Sequence, residues 1–178
     1  TSATPGLPPA SKWALHRLNT AVKTTVDAME VYDFANATTG VYAFWQYDVC
    51  DVFIELMKPV MNGTDEVAKK ATRDTLWTCL DAGLRLLHPF MPFVTEELWQ
   101  RLPRRAAETA PSIMVADYPA FTDDRTDNVV EESMAVAQEI VKATRSLRAA
   151  YNLPPKTKAE LFIVTRGDAA TDAAKQFS

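Results

Sequence analysis

A set of cationic, amide and aromatic side chains surrounds the end of one predicted helix and the start of the next. Proteins bind unpaired bases of nucleic acids by stacking aromatic or guanidinium groups on them, and they bind the phosphate backbone with cations. Because both kinds of side chain converge here, we predict a nucleic-acid contact. The members of the set are Lys58, Asn62, Lys69, Lys70, Arg73 and Trp77.

Two plainer interpretations compete with this one. Asp65, Glu66 and Asp74 dilute the positive charge, so the lysines fit an ordinary solvated surface equally well. Trp77 follows Leu76 in an apolar helical pattern, and this position favours the hydrophobic core over a stacking platform.

A second basic row occurs in a later predicted helix. Lys142, Arg145 and Arg148 recur every three residues, so they lie roughly on one helix face. One interpretation is contact with a nucleic-acid backbone. Ion pairing with neighbouring helices is slightly favoured for Lys142 and Arg145.

The histidines and cysteines of the sequence form no catalytic or metal-binding pattern. His16 and His88 have no cysteine or carboxylate at ligand spacing, and Cys50 and Cys79 are not spaced as metal ligands. Both thiols are expected to be buried small hydrophobes rather than a disulfide, which indicates a reducing compartment. No glycine-rich phosphate loop occurs. We therefore predict no catalytic residue, metal or cofactor in this chain.

Apolar residues at helical spacing predict an all-α, up-and-down helical bundle over residues 11–157. Residues 1–10 fit a linker, and residues 158–178 fit the start of a truncated α/β element, with a strand at 158–165 and a helix at 169–177. Residues 112–115 are expected to be extended. Adjacent acids at Glu96-Glu97 and Asp123-Asp124 are assigned to helix starts rather than to catalysis. The predicted helices cover residues 11–30 with Ser11 as cap, 33–57, 65–88, 92–102, and about 130 to the Pro154-Pro155 pair.

The joint between the third and fourth predicted helices carries the most specific pattern. Pro89 and Pro92 end one helix and suit the first turn of the next. The stretch His88-Pro89-Phe90-Met91-Pro92-Phe93, followed by Glu96-Glu97-Leu98-Trp99, resembles the anticodon-binding region of class I aminoacyl-tRNA synthetases that serve branched aliphatic amino acids. Phe44-Trp45-Gln46-Tyr47-Asp48-Val49-Cys50-Asp51 and Thr78-Cys79-Leu80-Asp81 are most similar to the eukaryotic valyl-tRNA synthetases. Further stretches resemble the valyl-tRNA synthetases in general over about residues 11 to 165. They are Ser11-Lys12-Trp13 with Leu18-Asn19, Tyr42-Ala43-Phe44-Trp45 with Cys50-Asp51 and Lys58-Pro59, and Arg145-Ser146-Leu147-Arg148 before Asn152.

The resemblance implies recognition of a valine-specific tRNA, with the end of the bundle that carries the first cationic set facing the anticodon loop. In that family a separate catalytic domain of the same parent chain uses ATP and magnesium. Its H-I-G-H and K-M-S-K-S signatures do not occur in this sequence. The chain by itself is therefore expected to be inactive as a valine–tRNA ligase. Within the second basic row, the match favours Arg148 as the tRNA contact.

Other functions stay open at this point. The isoleucine- and leucine-specific synthetases are related alternatives, and a bundle with a net charge of −4 also fits a module that docks other synthetases or a scaffold. That charge argues against indiscriminate binding of nucleic acids, DNA included. No apolar run reaches the ~18 residues of a membrane span. We expect a cytoplasmic protein without membrane contact, and an organellar form of the parent stays open.

Overall fold

A computed structural model describes residues 6–105, 109–154, 156–164 and 171. The chain divides into two compact units, Thr1–Thr126 and Asp127–Ser178. The described residues form helices and no strand, which confirms the predicted all-α fold. Unit 1 contains α1 (Pro9–Glu30), α2 (Phe34–Ala43), a π-helical segment (Phe44–Phe53), α3 (Ile54–Asn62), α4 (Glu66–Leu87) and α5 (Pro92–Arg101), and unit 2 contains α6 (Asn128–Ala150).

Short-range capping explains where several helices begin. Asp33 accepts a hydrogen bond from the Asn36 amide at 3.1 Å and starts α2. Asp65 starts α4 by accepting from the amides of Val67 and Ala68 at 2.9 and 3.0 Å. Both boundaries agree with the prediction.

The first helix begins earlier than predicted. Pro9 is its first residue and Pro8 its N-cap, because proline lacks the amide hydrogen that a first-turn position leaves unused. The expectation that Ser11 caps α1 is therefore wrong. Ser11 instead lies buried within the helix, with 0% of its surface exposed.

The second predicted helix is longer and less regular than expected. Helical backbone continues from Phe34 to Asn62, so Pro59 lies inside α3 and Gly63 terminates it. Between α2 and α3 the chain forms the π-helical segment. Its hydrogen bonds span five residues instead of four, which places Phe44, Val49 and Phe53 on one buried face.

Unit 1 buries its apolar side chains between α1, α2, the π-helical segment and α4. Trp99 of α5 forms a further cluster with Leu84 and Ile113, and Arg85 and Arg104 both lie over its indole ring at 5.4 and 4.0 Å from the centroid. The principal buried apolar residues of unit 1 are Trp13, Leu18, Val41, Phe44, Phe53, Cys79, Leu86 and Trp99.

The connection that follows α5 is held by polar contacts. Glu96 accepts hydrogen bonds from the Ser112 hydroxyl at 2.8 Å and from the Ile113 amide at 3.0 Å. Further along, the Asn19 side-chain amide of α1 donates to the Thr122 carbonyl at 2.8 Å and accepts from the Thr122 amide at 3.0 Å. The assignment of Glu96-Glu97 to the start of α5 is wrong, because the first turn of that helix contains no acid. The Glu96 carboxylate instead fastens this connection to α5.

Two predictions of extended structure differ from the structure. Residues 112–115 were expected to be extended, but Ile113–Val115 form a 3₁₀ turn that Ser112 caps through the Met114 amide at 3.2 Å. Residues 158–164 have no regular secondary structure, since a strand requires a partner and the described residues supply none. Residue 165 and the helix predicted at 169–177, apart from Thr171, lie outside the described residues.

The two thiols differ in exposure. Cys79 is fully buried as predicted, but Cys50 is exposed, so its expected burial is wrong. Phe44, Val49 and Phe53 lie on the buried face of the π-helical segment. Cys50 of the same segment lies on its exposed side. Both cysteines are free thiols.

Candidate nucleic-acid interface

The first cationic set lies on a helical hairpin formed by α3, the turn after Asn62, and the start of α4. The two helices pack against each other, yet none of the residues of α3, all of which the structure describes, is buried. Lys58, Asn62, Lys70 and Arg73 are exposed. Four of the predicted site residues are thus exposed on the hairpin, and Lys69 and Trp77 are partly exposed.

Each lysine of the hairpin has an acidic partner nearby in the sequence. The ammonium nitrogens lie close to carboxylate oxygens in the pairs Lys58–Glu55 (2.5 Å), Lys69–Glu66 (2.8 Å) and Lys70–Asp74 (2.7 Å). Hydrogen bonding from its lysine lowers the pKa of Glu66 and of Asp74 below the ordinary range, so both carboxylates stay charged at neutral pH. The positive charge of the hairpin is thus largely balanced.

Arg73 differs from these lysines. It forms no hydrogen bond or ion pair with any residue in the described part of the chain, and it is exposed on α4. Its charge nevertheless contributes to the lowered pKa of Glu66 and Asp74. A guanidinium group with its donors unoccupied can bind a phosphate or a base edge through two parallel hydrogen bonds.

Trp77 lies one turn further along α4 and is partly exposed. Its indole Nε1 donates a hydrogen bond to the Pro103 carbonyl at 2.9 Å, and the Arg105 guanidinium lies 3.8 Å from the ring centroid. A base could therefore reach this ring only beside or in place of Arg105. Whether Trp77 stacks on a base stays a prediction.

Arg105 was missed by the sequence reasoning. Its Nη2 donates to the Asp74 carbonyl at 3.3 Å and lies 3.6 Å from the Asp74 carboxylate, which brings the segment after α5 next to α4. The Arg104-Arg105 doublet after Pro103 was the available signal. Only the fold reveals that this doublet meets a helix 31 residues earlier in the chain.

The second basic row lies on α6, in unit 2. Lys142 approaches Glu139 at 3.6 Å, which is the local ion pairing expected for a solvated helix face. Arg148 uses its Nη2 to donate to the carbonyls of Pro154 and Thr157 at 2.7 and 2.9 Å, so it holds the chain that leaves α6. Arg145 is exposed. A role for these residues in tRNA binding stays a prediction.

The positions of the possible metal ligands agree with no metal-binding arrangement in the described part of the chain. Within residues 6–105, 109–154, 156–164 and 171, no three histidine, cysteine or acidic side chains converge as metal ligands. His88 lies at the end of α4, and its Nδ1 is 2.6 Å from the Thr95 hydroxyl, across the double-proline joint. No helix among the described residues is long and apolar enough to cross a membrane.

Comparison with known proteins adds a direct likeness. The family described as "Anticodon-binding domain of tRNA ligase" matches residues 11–163. The valine–tRNA ligase of Homo sapiens is 50% identical over 143 residues, which are 80% of this chain and 11% of that protein. The enzyme of Mus musculus is 47% identical over 163 residues, covering 91% of this chain and 13% of the relative.

A third relative is named for an organelle. The mitochondrial valine–tRNA ligase 1 of Arabidopsis thaliana is 43% identical over 147 residues, 80% of this chain and 13% of that protein. The chain thus spans between 11% and 13% of the length of these three relatives. Because the family match extends over most of the helical region and the structure is a helical bundle, the chain belongs to the anticodon-binding domain family of tRNA ligases.

Proposed function

We propose that this chain binds the anticodon region of a valine-specific tRNA as one domain of a valine–tRNA ligase. The observation that carries the proposal is the family match over residues 11–163, together with relatives named valine–tRNA ligase at 43% to 50% identity. The hairpin of α3 and α4 is the surface we assign to the tRNA, because it presents an unpaired guanidinium beside three lysines and an amide.

The chemical reaction belongs, in this proposal, to another domain of the parent chain. That domain would bind ATP, magnesium and valine and transfer the activated amino acid to the end of the tRNA. The present domain would fix the orientation of the long tRNA substrate, which lowers the entropic cost of bringing its acceptor end to the catalytic site. Loss of hairpin contacts should then weaken use of tRNA and leave valine activation unchanged.

The state of the cysteines bears on the compartment. We assign the parent to the cytoplasm, consistent with two free thiols. A relative named mitochondrial at 43% identity makes the organelle the alternative.

A binding experiment tests the proposed function. The chain is titrated with a fluorescently labelled tRNA that carries a valine anticodon, and with the same tRNA after an anticodon change, at two salt concentrations. We expect tighter binding to the valine anticodon and weaker binding at high salt, because each phosphate contact releases counterions. Equal or undetectable binding of the two tRNAs would argue instead for a protein-docking role in the parent enzyme.

Two substitutions test whether the hairpin of α3 and α4 is the surface that binds the tRNA. Arg73→Ala should weaken binding of the valine tRNA, whereas Lys23→Ala should not. Lys23 is a suitable control because it is exposed on α1, in an ion pair with Asp27 at 2.6 Å. If both variants lower affinity to the same degree, the hairpin is not the tRNA surface.

A further inference from the structure

Two cations lie beside a single carboxylate on the exposed side of α4, and the charge of a third, Arg73, also acts on it. The Asp74 carboxylate lies 2.7 Å from the Lys70 ammonium and 3.6 Å from the Arg105 guanidinium. The hydrogen bond from Lys70 is the largest cause of the lowered pKa of Asp74, and the charges of Lys70, Arg105 and Arg73 also lower it. This acid is therefore ionised and partly neutralised by three neighbours.

Arg105 is held in place from two directions. Its guanidinium stacks on the Trp77 indole at 3.8 Å, and its Nη2 donates to the Asp74 carbonyl at 3.3 Å. The indole is itself fixed by its hydrogen bond to the Pro103 carbonyl. The Arg105 side chain is still 45% exposed, so an anion in solvent can reach it. A guanidinium that is already ordered loses little entropy when it binds an anion.

We propose that Lys70, Arg73 and Arg105 form a binding site for a backbone phosphate of RNA, and that the Asp74 carboxylate occupies the position of that phosphate in the free domain. Carboxylate and phosphate oxygens accept hydrogen bonds from guanidinium groups in the same geometry. This inference rests on the proposed tRNA function and adds Arg105 and Asp74 to the residues that determine it.

The Asp74 carboxylate lowers the affinity of the proposed phosphate site for RNA. An RNA phosphate must replace or tolerate Asp74, so each encounter loses part of the favourable charge interaction. A tRNA that makes the remaining contacts of the domain offsets this loss, and an RNA that makes only phosphate contacts does not. Asp74 therefore lowers the affinity for both kinds of RNA by a common factor, so that only a tRNA making the remaining contacts stays bound at low concentration.

Two substitutions test the site with the labelled valine tRNA. One added or removed phosphate contact changes the salt dependence by a slope of ~0.7–0.9, which corresponds to about five- to eightfold in affinity between 1 M and 0.1 M salt. Asp74→Asn should tighten binding by about that factor at 0.1 M salt, for the valine tRNA and for the tRNA with the changed anticodon alike. Arg105→Ala should weaken binding by a similar factor.

Matched controls carry the same charge changes elsewhere. Asp27→Asn removes an acid that pairs with Lys23 on α1, and Arg101→Ala removes an exposed arginine that pairs with Glu97 on α5. Arg105→Lys keeps the charge and removes the planar stack, so it should fall between the wild type and Arg105→Ala. If far-ultraviolet circular dichroism shows that Arg105→Ala does not fold, Arg105→Lys takes its place in the binding test.

The outcomes separate the two proposals. If the wild type discriminates between anticodons but Asp74→Asn behaves as Asp27→Asn, or Arg105→Ala as Arg101→Ala, the phosphate site is refuted and the tRNA function stands. If neither the wild type nor Asp74→Asn binds tRNA at either salt concentration, both proposals are refuted.

Discussion

The close approach of Gly83 to the aromatic residues of the π-helical segment predicts opposite effects for two glycine-to-alanine substitutions. A Cβ atom added at Gly83 would lie 2.8 Å from the Trp45 Cζ2 and 3.2 Å from the Phe44 Cε1. At Gly40 the nearest side-chain atom would be 3.4 Å away, at the Thr24 methyl, which is an ordinary contact. Both glycines are inside helices, so alanine offers the same intrinsic gain at each.

Two opposing contributions to the free energy of unfolding, the helix propensity of alanine and the cost of overpacking, decide whether each substitution stabilises the protein. Alanine stabilises a helix interior by about 1 kcal/mol relative to glycine. At Gly83 an overpacking cost of ~2–3 kcal/mol outweighs this gain, because two rings must move and Phe44 is only 1% exposed. Moving Trp45 also disturbs its 3.3 Å hydrogen bond to the Gly83 carbonyl. We expect Gly83→Ala to lower the free energy of unfolding by about 1–2 kcal/mol and Gly40→Ala to raise it by about 0.5–1 kcal/mol.

Thermal unfolding monitored by circular dichroism measures the difference. A change of 1 kcal/mol shifts the Tm of a chain of this size by about 2–4 °C, so the two variants should move the Tm in opposite directions. Replacing Trp45 with leucine in the Gly83→Ala background should recover part of the loss, since the smaller side chain makes room. The packing argument is refuted if Gly83→Ala is as stable as Gly40→Ala.

Three further predictions follow from single contacts. Burial raises the pKa of the Cys79 thiol to about 12, so this thiol stays protonated at pH 8. Ellman's reagent should therefore label Cys50 alone in the native protein, and Cys79 should react only in denaturant. Two rapidly labelled thiols in the native protein would contradict the buried position of Cys79. Asp65→Ala removes the cap of α4 and should cost about 1 kcal/mol in urea unfolding, whereas Asp65→Asn should lose less. Trp99→Phe removes the hydrogen bond from the indole to the Asp81 carboxylate at 2.7 Å and should cost about 1.5–3 kcal/mol in the same assay; an unchanged midpoint would show that this contact contributes nothing.

Features that depend on near neighbours in the sequence were predictable. Asp33 and Asp65 begin helices because their carboxylates reach amides two or three residues ahead, and Pro92 begins α5 because its ring fixes a helical φ. These rules need no knowledge of the tertiary structure. The same holds for the cationic set on the hairpin, because its members flank one short turn.

Features that depend on distant contacts were not predictable. The exposure of Cys50 follows from the π-helical segment, which forms where Phe44, Val49 and Phe53 must reach one core face. Glu96 fastens a connection 16 residues away, and no local pattern specifies that partner. Arg105 reaches Asp74 only because the chain returns to α4 after α5.

The ion pairs of the hairpin reconcile a net charge of −4 with a tRNA-binding role. Free lysines would attract any RNA, and their affinity would depend mainly on salt and hardly on sequence. Here Lys58, Lys69 and Lys70 already have carboxylate partners, so an RNA phosphate exchanges one ion pair for another and gains little from charge alone. Affinity then depends on contacts that only the correct nucleotides complete, such as those available to the Asn62 amide. Under the proposed function, such a domain contributes more to the choice of tRNA than to the strength of binding, and the salt dependence of tRNA binding should arise chiefly from surfaces outside the hairpin.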